Sequence, residues 1–276
     1  MTSGFLVLLP PSETKRDGGI SAFGPDAPAA ASLAEAARDP SASLSWPSMG
    51  SVRDELVGDL VALAGDAERM AAAFKLSDKL AAVEAERNRA LRTAPRLPAV
   101  LRYTGVLYDA LDAGSLDAEA CRWLAGHVAI HSALYGLVGA GEPIAAYRCS
   151  ANSRLPGRSL KQRWASRVAD ALTAHDGTVL DLRSNGYRAL GAAGARSIVA
   201  DIVTDDGAGG VRALNHFNKQ AKGELVRALA VSERGRALPP DVDVDRLCAT
   251  LGEVGFHAEP VSASRLRCWA NDSVHA

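Results

Sequence analysis

A mixed sheet with surrounding helices, the α+β class, is what three features of this chain predict. Short β-branched apolar runs alternate with longer stretches at helical spacing. An apolar share of 47% over 276 residues supports a real core. Neither an internal repeat nor a Pro-rich linker divides the second half, so residues 1–276 read as a single domain. With 31 basic and 32 acidic residues the formal charge is -1, so any attraction to a polyanion has to come from a local patch. The apolar run from Phe5 to Pro11 is far short of a bilayer span and lacks a basic leader and cleavage site. A cytoplasmic protein without a membrane partner is the expectation. Cys121, Cys149, Cys248 and Cys268 have no CxxC spacing, which argues for buried free thiols over a zinc ribbon or redox motif.

Phe5 to Leu9 reads as a buried strand emptying into a loop at Pro10 and Pro11. Gly18 to about Pro47, rich in Ala, Ser, Pro and Gly, reads as a surface loop or lid with a short helical piece near Leu33 to Ala37. Helical spacing follows over Val52 to Ala64 and Glu68 to Asn88, broken near Ser77, a plausible N-cap for Lys79 to Leu91. Thr104 to Leu111 and Asp117 to Leu124 are helical, and Val128 to Leu137 favours a strand. Ser159 to Ala174 is an amphipathic helix with Leu160, Trp164, Val168 and Leu172 on one face. Thr178 to Leu182, Ser197 to Val203, Val211 to Phe217 and Val261 to Trp269 are predicted strands, and Lys219 to Leu229 and Val244 to Leu251 helices.

Charge is concentrated in one place. Between Pro143 and Ala169 lie six basic residues, Arg148, Arg154, Arg158, Lys161, Arg163 and Arg167, with no Asp or Glu. Such a run needs an anionic partner or carboxylates brought in from elsewhere in the fold. Just before it, Leu137 to Ala145 carries Gly139 and Gly141 at a spacing that resembles the hairpin of a helix-hairpin-helix motif, where amides approach a DNA phosphate. The plain reading of the same glycines is a tight turn leaving a buried strand or helix. Ser12 has no GxSxG elbow around it, which disfavours a serine hydrolase. His127 and His131 share a face but lack a third ligand, so they read as structural and no metal or cofactor is expected. Asp170 and Asp181 follow the basic run, where a fold-level analogy with hairpin-type glycosylases places an Asp.

Five islands together resemble the YaaA family, also called DUF328 or UPF0246. They are LLPPSETK (Leu8 to Lys15), SDKL (Ser77 to Leu80), YTG (Tyr103 to Gly105), LYG (Leu134 to Gly136) running on to Tyr147 and Arg148, and HFNKQAKG (His216 to Gly223), with the predicted strand DLRSNGY (Asp181 to Tyr187) between the last two. The resemblance implies a mixed α/β architecture described as cantaloupe-like, with a positively charged cleft. It also implies a role in hydrogen peroxide protection, control of free iron, and DNA binding through a helix-hairpin-helix-like element. PPSETK, Gly186 before Tyr187 and a longer insertion after Lys15 depart from the family pattern. They put the peroxide role in more doubt than the fold.

The islands gather cations and donors: Lys15, Lys79, Tyr103, Arg148, Arg154, Lys161, Lys219 and Lys222. Converging on one cleft they would hold phosphate or carboxylate groups. Separately, each would be a solvated or paired surface charge. Two functions follow as expectations. In one, Gly139, Gly141 and the run Arg148 to Arg167, Arg158 included, contact DNA phosphates. In the other, an enzyme acts on a small anionic molecule such as a nucleotide or nucleobase derivative. There Lys15 or Lys79 is base or nucleophile, Tyr103 the acid or donor, and Arg148 the anion clamp. Lys15, Lys79, Arg148 and Lys219 are then expected to face one cavity. Oligomeric state is left open.

Overall fold

The structure is a computed structural model that describes residues 4–20, 28–36, 44–205, 211–212 and 215–269. Its strands are β1 (Leu6–Leu9), β2 (Arg96–Pro98), β3 (Val128–Ser132), β4 (Gly136–Gly139), β5 (Pro143–Ala145), β6 (Val179–Asp181), β7 (Ser197–Asp205), β8 (Val211–Arg212), β9 (Ala258–Ser262) and β10 (Arg265–Trp269). The helices are α1 (Pro28–Ala36), α2 (Gly50–Leu63), α3 (Ala67–Phe74), α4 (Asp78–Arg89), α5 (Ala99–Arg102), α6 (Val106–Leu111), α7 (Ala118–His127), α8 (Leu160–Thr173), α9 (Asn185–Arg188), α10 (Asn215–Val231), α11 (Glu233–Arg236) and α12 (Val244–Glu253). This is the mixed architecture the sequence predicts.

The main sheet runs β4-β3-β1-β6-β7-β10-β9, with β8 pairing β7. From β3 to β10 all neighbours are parallel, and antiparallel β4 and β9 flank them. β1 sits between β3 and β6, and its four residues are buried, which is why it reads as a continuous apolar run and not an alternating one. A small second sheet pairs β2 with β5.

Several boundaries differ from the sequence reading, each for a local reason. Val128 to Leu137 is not one strand but two, β3 and β4. Gly136 closes the intervening turn at φ +66°, and a Cβ there would lie 2.7 Å from Met49 Sδ and 2.8 Å from the Trp164 ring. Val261 to Trp269 is likewise a hairpin of β9 and β10, and Asp181 to Tyr187 leaves the sheet after Asp181 and enters α9. Of Val211 to Phe217, 211–212 are strand, residues 213–214 lie outside the described residues, and helix α10 has begun by Asn215. The Glu68 to Asn88 stretch breaks at Lys75, in the left-handed region at φ 53°. Ser77 precedes α4 as predicted, although its side chain makes no capping bond. The Ser159 side chain does cap α8, in a reciprocal box with Gln162. Of the predicted loop from Gly18 to Pro47, residues 21–27 and 37–43 lie outside the described residues, and α1 occupies the middle.

All four cysteines are buried and free, as expected. Among the described residues no helix is long and apolar enough to cross a membrane.

Candidate functional site

β1 and β6 are parallel neighbours whose connections leave in opposite directions, β1 leading toward β3 and β6 toward β7. An open parallel sheet has a crevice at the carboxyl ends of such a strand pair, and ligands of this sheet class settle there. A cleft of about 610 Å³ lies at that point. Pro10 to Thr14 leave β1 along one wall, Ser184, Gly186 and Tyr187 follow β6, and Thr104 to Tyr108 and Ser150 to Asn152 add to the lining. Asn218, Lys219 and Lys222 of α10 complete it.

Local sequence shapes these walls. Gly105, at φ +93°, turns the chain into α6 so closely to the β1 loop that a Cβ would lie 3.2 Å from Thr14 Oγ1. The Thr14 hydroxyl donates to the Thr104 carbonyl at 3.1 Å, and the Tyr108 hydroxyl to the Pro10 carbonyl at 2.8 Å, so the two walls are tied together. Gly223 lets α10 lie directly on α6: a Cβ there would be 2.1 Å from the Leu107 carbonyl oxygen. That contact carries Lys222 to the edge of the cleft.

Lys222 is only 7% exposed, and no hydrogen bond or ion pair joins it to any described residue. Burial pushes its ammonium down to about 8; Arg188 and Lys219 push the same way, while Asp181 and Asp201 oppose them. Lys219, one turn earlier on the helix, is exposed. Two amines therefore stand on one side of a concave site without a paired carboxylate contact among the described residues.

Behind the β1 loop lies a second cationic feature. Lys15 bridges to the Tyr103 backbone and is buried; its Nζ donates to the carbonyls of Ser12 at 3.0 Å and Glu13 at 3.2 Å. It also sits 4.0 Å from the Tyr147 ring centre and 5.4 Å from that of Tyr103. Burial brings it to about 7, opposed by Cys149 and Glu84 and reinforced by Arg148 and Arg87. The Tyr103, Tyr147 and Ser132 hydroxyls form a buried chain with spacings of 2.8 and 2.7 Å, and burial raises both phenols, which suits donors and not bases. Arg148 holds Glu13 from outside at 2.8 Å, while the Asn88 side chain clamps the Arg148 backbone in both directions. Lys15 and Arg148 thus grip the loop whose other side lines the cleft.

The family model for the peroxide stress protein YaaA matches residues 5–236, a span that contains every element of the cleft wall. The chain belongs to this family. A UPF0246 protein of Corynebacterium efficiens is 43% identical over 236 residues, covering 83% of this chain and 86% of the relative. One from Corynebacterium glutamicum is 40% identical, with coverages of 83% and 86%, and one from Streptomyces coelicolor is 37% identical over 97% of each chain.

Of the residues singled out by the YaaA resemblance, Lys219 and Lys222 line the cleft; Lys15, Tyr103 and Arg148 lie behind its β1 wall. Lys79 is exposed at the start of α4 and is not part of the lining, so the four expected cations do not share one cavity. Two of the six residues of the basic run are matched by carboxylates from α2: Arg158 meets Glu55 at 2.8 Å, and buried Arg163 meets Glu55 at 3.2 Å and Asp59 at 2.6 Å. Arg167 bonds the Ser48 carbonyl. Arg154 and Lys161 are exposed and make no side-chain ion pair with a described residue.

Leu137 to Ala145 does not form a helix-hairpin-helix element. Strands β4 and β5 flank the turn, Gly139 and Gly141 are buried, and the Gly139 amide donates to Glu142 Oε2 at 3.0 Å, so it is not presented to a phosphate. The Ser12 hydroxyl engages Thr14, and Asp170 is exposed on α8. His127 stacks on Trp123 and bonds its carbonyl, and His131 accepts from Arg183; no group of three metal-ligating side chains occurs among the described residues. Asp181 is wholly buried and grips Arg183 with both oxygens, at 3.0 and 2.8 Å. Sequence reasoning missed Asn152, Ser184 and Asn218 as lining residues. Ser184 and Asn218 lie inside quoted segments, DLRSNGY and HFNKQAKG, which was the signal that could have found them; Asn152 follows the segment that ends at Arg148.

Proposed function

We propose that this YaaA-family peroxide stress protein acts by binding a small anionic ligand, phosphate- or carboxylate-bearing, in the cleft at the ends of β1 and β6. Lys222 carries the reading: a lysine more than nine-tenths buried, on a cavity wall, without a hydrogen-bond or ion-pair partner among the described residues, is costly unless a ligand supplies the counter-charge. Lys219 adds a second charge at the mouth, and the hydroxyls of Thr104 and Ser184 supply hydrogen bonds, those of Thr14 and Ser12 being engaged with the Thr104 carbonyl and with each other. Whether chemistry follows binding turns on Lys222, whose ammonium near 8 can exchange a proton at neutral pH.

Nucleic acid is the second reading. One observation favours it, the exposed Arg154 and Lys161 on the surface around α8. The matched state of Arg158 and Arg163 weighs against it.

Calorimetric titration with inorganic phosphate and pyrophosphate tests the first reading. Binding should be lost in Lys222→Met and kept in Lys161→Met. A Lys161→Met variant that loses binding while Lys222→Met keeps it would move the site to α8 and favour the nucleic-acid reading. Pyrophosphate that binds neither protein would remove the first reading.

A further inference from the structure

We infer that the cleft is shaped for one nucleotide unit, a phosphomonoester carrying a flat ring, with the phosphate at Lys219 and Lys222. This rests on the anion reading above and names the class of anion.

Three observations carry it. The charges come from two lysines on one helix, Lys219 and Lys222, three residues apart and so on the same face. Ammonium groups are compact point charges, and a pair of them matches a phosphomonoester dianion better than the single charge of a carboxylate, for which an arginine fork is the usual partner.

Part of the remaining wall is apolar. Pro10, Pro11, Leu107, Tyr108 and Tyr187 line the cleft, and Tyr108 spends its hydroxyl on the Pro10 carbonyl. Their rings are left as packing surface, which stacks on any base. The lining also holds the Asn152 amide and the Ser184 hydroxyl, both exposed and without a hydrogen bond to a described side chain or backbone group. Such groups both donate and accept, which suits ribose hydroxyls and a base edge.

Size and place agree. About 610 Å³ is in the range of pockets that enclose a small molecule and cannot admit a duplex. The crevice at the point where parallel strands diverge is also where sheets of this class take nucleotide cofactors. The same unit could arrive as a free nucleoside monophosphate or as the phosphorylated end of a single strand.

Calorimetry on the full chain with adenosine and cytidine 5′-monophosphate, inorganic phosphate, the two nucleosides, and a short single-stranded oligonucleotide with a 5′-phosphate tests this. At least one monophosphate should bind about tenfold or more tighter than phosphate and than its nucleoside. Lys222→Met should reduce the monophosphate to the level of the nucleoside. The exposed-site variant Asn152→Ala, which leaves the core untouched, should narrow the gap between monophosphate and phosphate. Monophosphates that bind no better than inorganic phosphate overturn the nucleotide inference while leaving the anion reading standing, and failure of every anion removes both. Monophosphate binding that survives Lys222→Met also overturns it, since the site would lie elsewhere. An oligonucleotide that outbinds both monophosphates by tenfold or more assigns the unit to a strand end, and a weaker one assigns it to the free nucleotide.

Discussion

Lys15 Nζ lies 4.0 Å from the centre of the Tyr147 ring and donates to the backbone carbonyls of Ser12 and Glu13, so a single buried amine connects the tyrosine cluster to the cleft wall. Tyr147 in turn is fixed by Tyr103 and Ser132, whose hydroxyl also accepts the Leu134 and Tyr135 amides in the turn before β4. Two separated sequence islands, Leu8 to Lys15 and Leu134 to Tyr147, are therefore one structural unit.

The burial of Lys15 predicts a pH dependence of stability with a definite sign. Its pKa falls from 10.5 to about 7 on folding, so between those values the unfolded chain binds the extra proton and stability rises with pH. Below about 7 both states are protonated and the cost of burying the charge is complete, with an upper bound of roughly 5 kcal/mol. Lys15→Met should remove that rise. Urea denaturation at pH 6.5 and 9.5 should show the variant gaining on the wild type at the lower pH and losing the gain at the higher. Parallel behaviour of the two proteins would disprove it.

Gly223 predicts a steric effect confined to the cleft wall. Gly223→Ala places a Cβ 2.1 Å from the Leu107 carbonyl oxygen and 2.9 Å from Ala110 Cβ, forcing α10 away from α6 at a cost of roughly 1–3 kcal/mol or more. Anion binding should weaken with it, because Lys222 is the preceding residue. Gly58→Ala, in α2 with nothing within 4 Å of the new Cβ, is the control and should stabilise by about 0.5–1 kcal/mol. Equal unfolding midpoints for the two variants would contradict this.

What the sequence revealed and concealed follows from the range of each interaction. β1 was legible because a strand with parallel neighbours on both sides has no polar face, and α8 because its apolar stripe and Ser159 cap are local. The β9 and β10 pair was read as one strand because both arms alternate and the turn at Ala263 and Ser264 carries neither Gly nor Pro to mark it. Arg163 was read as surface charge because its partners Glu55 and Asp59 lie over a hundred residues earlier. Lys222 was marked by its island, but its burial depends on the approach of α6, which no local pattern encodes.

That pairing of Arg163 is itself testable. Its side chain is 2% exposed, and its Nη1 approaches Asp59 at 2.6 Å off the N–H direction, so the contact is charge pairing and not a well-formed hydrogen bond. Its Nε and Nη2 donate to the Arg158 and Pro156 carbonyls. Asp59→Asn leaves Glu55 as the remaining partner and should cost roughly 1–3 kcal/mol, below the usual loss for a fully buried pair because Asp59 is about a third exposed. The double variant Glu55→Gln, Asp59→Asn should also gain salt-dependent affinity for DNA in fluorescence anisotropy at low salt. Unchanged affinity would mean that these carboxylates do not mask the basic run.

His131 supplies the last prediction. Arg183 Nη1 lies 3.0 Å from His131 Nδ1, and because a guanidinium only donates, Nδ1 accepts and the ring proton sits on Nε2. That nitrogen is buried without a partner, so a second proton would place a full positive charge beside Arg183. Burial and then Arg183 hold the ring well below its usual 6.5. The unfolded chain therefore takes up a proton as pH falls through 6.5 while the folded protein does not, and stability drops by about 1.4 kcal/mol per pH unit from this group. His131→Asn keeps an acceptor for Arg183 but cannot charge, so its stability should fall less as the pH falls. His127 and His175, also lowered by burial, contribute equally to both proteins and cancel in the difference. Urea titrations at pH 7.5 and 5.0 measure it. Identical acid sensitivity in wild type and variant would show that His131 is not held neutral by burial beside Arg183.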